Sequence, residues 1–156
     1  MTSRTIAKSL AAQLTTIQWQ NGYESPKVYL DTISQDIDFR NVPHIVVSPK
    51  GSSGLWKSQP QHQIDVLLIL DSSQFHSNPA VAETSPDNVQ VYGAGSLLDE
   101  LTQELISKIK QALPGAILSG IDVEFSLTTL PIQFSTISLT YVENPAYGDF
   151  CKDITY

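Results

Sequence analysis

Apolar residues recur along the chain with two different periods. Ile6, Leu10, Leu14 and Ile17 follow one another at steps of four, four and three, with Ala7 and Ala11 beside them. That spacing lays one stripe along a helix over Ser3 to Gln18, with Thr2 or Ser3 as its N-cap and Asn21-Gly22 as its stop. The period then changes. Lys27-Val28-Tyr29-Leu30 and Ile45-Val46-Val47 are short, β-rich runs bounded by Pro26, Pro43 and Pro49. His62 to Leu70 alternates through Gln63-Ile64-Asp65-Val66 and then turns continuous at Leu67-Leu68-Ile69-Leu70. Such a pattern predicts a central strand whose second half is covered on both faces.

Further on, Leu97, Leu98, Leu101, Leu105, Ile109 and Leu113 give a wide apolar face, predicting a helix over Ser96 to Leu113. Ser96 is its expected cap, Asp99 and Glu100 its first-turn acids, Lys108 and Lys110 its last-turn bases, and Pro114-Gly115 its end. Two strands follow, one through Ile121, Val123, Phe125 and Leu127, the other through Ile137, Leu139 and Tyr141, with Pro131 marking a turn between them. Lys50 to Gln61 and Asp71 to Asn88 read as loops, the second of a length usual for functional or disordered segments. The order α-β-β-β-α-β-β predicts an α+β fold, a mostly antiparallel sheet with two main helices packed on it. Residues 1–143 form the single expected domain, and 144–156 an irregular C-terminal extension.

Composition narrows the function. At 156 residues and 41% hydrophobic the chain can bury a core without metal or disulfide. Nine basic against sixteen acidic residues leave a net charge of −7, which argues against sequence-independent nucleic-acid binding. No apolar run reaches the ~20 residues of a membrane span. Met1-Thr-Ser-Arg4 lacks the shape of a signal peptide, so a soluble cytoplasmic domain is expected. The single Cys151 excludes an internal disulfide and any multi-cysteine zinc site.

Candidate chemistry is sparse. Gly93-Ala94-Gly95 before the second helix could accept an anion, but Leu98 stands where a dinucleotide fingerprint needs its third glycine, and no Gly-Lys-Ser/Thr ending follows. His44, His62 and His76 have no metal-ligand spacing, and His62 and His76 read as surface residues. Gly51-Ser-Ser-Gly54 lacks the nucleophile-elbow pattern. Neither an enzyme nor a cofactor is expected. Two features remain. From Ser58 to Ser107 there are seven acids and no base, ordinarily a solvated face and otherwise an acidic surface toward a partner. Leu55, Trp56 and Phe75 in loops, and Tyr147, Phe150 and Tyr156 in the tail, are candidate interface residues, because large apolar residues outside periodic elements either fold back as small satellite clusters or serve as interface anchors.

The order of elements resembles that of the tail terminator proteins of long-tailed bacteriophages. The likeness runs from about residue 3 to 143. It rests on the helix from Thr5 to Gln18, the strand Val42-Pro43-His44-Ile45-Val46-Val47, the long strand His62 to Leu70, the helix Ser96 to Leu113, and the closing Ser135-Thr-Ile-Ser-Leu-Thr-Tyr-Val142. The resemblance implies a small α+β fold and a homo-oligomeric ring, commonly a hexamer, seated on the tail tube protein. Such a ring ends tube growth and offers a docking surface to the head-tail connector, as a virion protein assembled in the host cytoplasm. DNA would pass through without specific binding, and Asp65, Asp71, Asp99, Glu100 and Glu104 become candidate lumen acids that keep it from sticking. The alternatives are another neck or tail-completion component and, from a different class, a small anion- or ligand-binding domain built on Gly93-Ala94-Gly95.

Overall fold

The computed structural model describes residues 2–20, 24–32, 42–54, 59–71, 95–125 and 132–142. Among them are two helices, α1 (Ser3–Leu14) and α2 (Gly95–Ala112), and five strands: β1 (Lys27–Leu30), β2 (His44–Ser53), β3 (Gln61–Asp71), β4 (Ala116–Phe125) and β5 (Ile132–Val142). The strands form one sheet in the order β1-β2-β3-β5-β4. Only the β1–β2 pair is parallel. The fold is α+β, with the expected order of elements.

Thr2 caps α1, its hydroxyl accepting the N–H of Thr5 at 3.2 Å. The helix stops at Leu14, earlier than its apolar stripe suggested. Thr15 and Thr16 turn their hydroxyls back onto the carbonyls of Ala12 and Gln13, the competing local bonds that make such residues poor helix formers. Ile17 and Trp19 nevertheless stay buried, so the stripe predicted burial correctly where it overran the helix.

The second helix begins at Gly95, one residue before the expected cap, so Ser96 lies inside it. Asp99 and Glu100 consequently fall beyond the first turn, and of the two lysines only Lys110 lies in the last. The expected dipole pairing at the helix start is thus absent. Gly115, at φ +91°, ends the turn after α2 in a conformation that suits glycine.

Strand β2 corrects a second expectation. Lys50 to Ser53, read as loop, continues the strand and pairs with β3 down to Ser53 opposite Gln61. A register shift between Pro49 and Gly51 accompanies this: Lys50 is the extra residue of a bulge directly after the proline, the kind of place where a sheet tolerates proline. Gly51 sits at φ +135° in that bulge.

The core lies between the helices and one face of the sheet. Leu10 and Leu14 from α1 and Leu101, Leu105 and Ile109 from α2 cover Ile45, Val66, Leu68 and Ile137. The reading of β3 as the central strand holds, since it runs between β2 and β5. Leu68 and Leu70 are buried on the helix face, and Ile69 is buried on the other. Beyond α1, the backbone N–H of Gln20 donates to Glu104 Oε1 at 2.9 Å and ties that segment to α2.

Candidate assembly surface

The helices cover one side of β1, β2, β3 and β5, and stop short of β4. Register shows what they leave open. Leu118, Ile121 and Val123 stand opposite Leu139, Ile137 and Ser135 of β5 and therefore share the helix-facing side of the sheet. Their partners are buried: Ile137 is 0% and Leu139 5% exposed. Leu118, Ile121 and Val123 themselves are 37%, 38% and 67% exposed. A register shift between Leu118 and Gly120 keeps all three on one side despite their odd spacing. Ile117, opposite Thr140, is exposed on the other face. Among the described elements β4 packs substantially only on β5.

The strand thus carries an apolar face that the chain's own described residues do not cover. It is also a sheet edge, ten residues long, with no lysine or proline in Ala-Ile-Leu-Ser-Gly-Ile-Asp-Val-Glu-Phe. Native proteins usually blunt such edges with lysine, proline or short strands, because unpaired N–H and C=O groups invite another chain. Here the interruptions are the charges of Asp122 and Glu124 and the register shift between Leu118 and Gly120.

The surface differs from the one expected. Leu55, Trp56, Phe75, Tyr147, Phe150 and Tyr156 all lie outside the described residues. Ile121 and Val123 are legible in the sequence only as alternating positions of a strand, and Ile117 and Leu118 lie before that alternation. Alternating apolar residues read the same whether or not a helix lies over them, so the sequence offered no signal for this patch.

The candidate lumen acids do not form one cluster. Asp65 lies between Ile64 and Val66, both core-facing, so it points to the opposite side of the sheet, where its carboxylate is 3.9 Å from Lys50 Nζ. Asp99 and Glu100 are exposed on α2, on the helix side. Glu104 is engaged by Gln20. Asp71 ends β3.

The histidines correct a further expectation. His62 is fully buried, and its Nδ1 lies 2.7 Å from Ser52 Oγ, which also accepts the N–H of Ser3. The start of α1 therefore closes over that end of the β2–β3 pair. His44 is buried on the opposite face, donating from Nδ1 to the Val42 carbonyl at 3.0 Å and stacked on Tyr29 at 5.8 Å between ring centres. His76, Cys151, Gly93 and Ala94 lie outside the described residues, and Gly95 opens α2. Among the described residues no three His, Cys, Asp or Glu side chains gather as a metal site. An open groove of about 590 Å³ runs between the C-terminal ends of α1 and α2, and among the described residues Lys108 is the one charged group lining it. Among the described residues no helix is long and apolar enough to cross a membrane.

Set beside known proteins, the chain matches no family model and no curated sequence.

Proposed function

We propose that this chain is a tail terminator of a long-tailed bacteriophage, a structural virion protein that assembles as a ring, commonly of six, at the top of the tail tube. One observation carries the assembly part of the reading. Among the described residues β4 has an uncovered apolar face and an unpaired edge, which a second protein surface would bury. The phage assignment rests on the resemblance in element order described above. The mechanism is binding rather than chemistry. A ring that mates with the last tube ring on one face, and with the head connector on the other, presents no edge on which the next tube subunit can add.

The test is negative-stain microscopy of purified protein mixed with tail tubes. Rings at one end of tubes of fixed length are expected. Tubes that go on growing past bound protein, or protein that stays monomeric with tubes at high concentration, would sink the reading.

In such a ring the acids of α2 and Asp65 cannot line the same wall of one subunit, since they lie on opposite sides of the sheet. The exposed pair Asp99 and Glu100 is the better lumen candidate. Reversing both to lysine is expected to give assembled rings that retain DNA at low salt and release it as salt rises, because a confined basic passage neutralises phosphates and releases their counterions. Assembled mutant rings with unaltered DNA retention would place the pair on the outside.

A further inference from the structure

We propose that the apolar face of β4 is covered by the opposite edge of a second copy of this chain, the edge formed by β1 and α1, so that neighbouring sheets join head to tail. The inference rests on the ring reading above and adds to it the surfaces that meet.

Four observations select this occupant. The first is polarity. With β1 and β2 parallel and each later neighbour antiparallel, β4 runs opposite to β1. A second copy placed beside the first with its helices on the same side therefore presents β1 antiparallel to β4, and antiparallel pairing is the more stable kind per residue. Among the described residues neither strand has a partner on its outer side.

The second is the match of faces. Val28 and Leu30 lie on the helix side of β1, in register with Ile45 and Val47, and are only partly buried. Joined edge to edge, they continue the apolar row of Ile121 and Val123. The helix α1 of the second copy, which packs over β1 and β2, then lies beside the face that no described helix covers in the first.

Charge is the third. From Ala116 to Val142 the chain holds two acids, Asp122 and Glu124, and no base. At the other edge Arg4 and Asp31 neutralise each other through two contacts of 2.6 and 2.8 Å. Among the described residues beyond that pair, Lys8 and Lys27 face a single acid, Glu24, and all three are exposed. Asp122 and Lys27 also share a side of the sheet, the one away from the helices, as their partners Thr136 and His44 show. A β4–β4 pairing would instead bring two acidic strands together, which like-charge repulsion disfavours.

The fourth is extent. Stable interfaces take about 800 Å² from each partner. The four residues of β1 can pair with only part of β4, so an edge ladder alone is too small and the side chains over it must take part. The contact uses different surfaces on the two copies, and contacts of that type close into rings when the rotation between neighbours allows.

The experiment is light scattering over a concentration series on the wild type and on V123E, D122K, K27E and the D122K/K27E pair. Circular dichroism and melting of each are read at a concentration where all are monomeric. All three positions are exposed, so monomer folding and melting should not change. V123E is expected to raise the concentration for half-assembly by about tenfold or more, as loss of a central contact does. Each single charge reversal should weaken assembly, and the pair should restore it. A wild type that assembles with or without V123E would overturn this surface and leave the ring reading standing. Single reversals that the pair fails to rescue would overturn the edge-to-edge orientation. A monomeric wild type whose melting point falls in V123E would place a segment of the same chain on β4 and overturn the inference. A wild type that remains monomeric even with tail tubes removes the ring reading and the inference together.

Discussion

Replacing Leu105 with alanine is expected to lower the free energy of unfolding by about 2–5 kcal/mol, the range for emptying a fully buried leucine site. Leu105 is 0% exposed at the middle of α2. Leu101 and Ile109 stand one turn to either side, in the same cluster as Val66, Leu68 and Leu70 of β3. The neighbours are held by the helix backbone on one side and the central strand on the other, so the cavity cannot close by a small shift. Denaturant unfolding with an unchanged slope and a lowered midpoint would report it. Leu105→Met, which keeps the volume, should cost less than about 1.5 kcal/mol. A loss under about 0.5 kcal/mol for the alanine variant would mean that this helix face does not seal the core.

The second large effect is polar. Thr102, 3% exposed, donates its hydroxyl hydrogen to the Leu98 carbonyl at 2.6 Å. Its oxygen lies 2.8 Å from Ser135 Oγ, which is fully buried on β5. Thr102 has only one hydrogen to give, so in this arrangement Ser135 is the donor between the two. Thr102→Val keeps the shape and removes the acceptor, leaving a buried serine hydroxyl without its partner. The expected cost is about 1–3 kcal/mol. Ser135→Ala leaves Thr102 still bonded to Leu98 and should cost less. Once valine is present, removing the serine hydroxyl should recover part of the loss, so the double variant is more stable than the sum of the single effects predicts. Strict additivity in that cycle would show that the two hydroxyls do not interact. The bond matters beyond stability, because it fixes α2 to the strand on which β4 hangs.

The sequence by itself determined the elements and their order. The stripe of Ile6, Leu10 and Leu14 and the broader one through Leu101, Leu105 and Ile109 each admit one helical face, and a helix must bury such a face. The passage from alternation to continuity between Gln63 and Leu70 identified the strand with neighbours on both sides. These are local periodicities, and tertiary packing reinforced them. Boundaries depended on weaker competitions: the Thr15 and Thr16 hydroxyls shorten α1, and the bulge after Pro49 lets β2 run on through residues that look like loop.

Only the tertiary structure decided which apolar residues are covered. Ile137 and Ile121 look alike in sequence and lie opposite each other in the sheet, yet one is sealed and the other open. The difference comes from the lateral reach of the two described helices over the five described strands, a property of no single segment. Burial of His62 likewise depends on Ser3 and Ser52, residues 49 positions apart that meet only in the fold. The strand order places β4 at an edge, and the sites of any assembly follow from that order because hydrogen-bonding capacity and apolar area remain together only where the sheet ends.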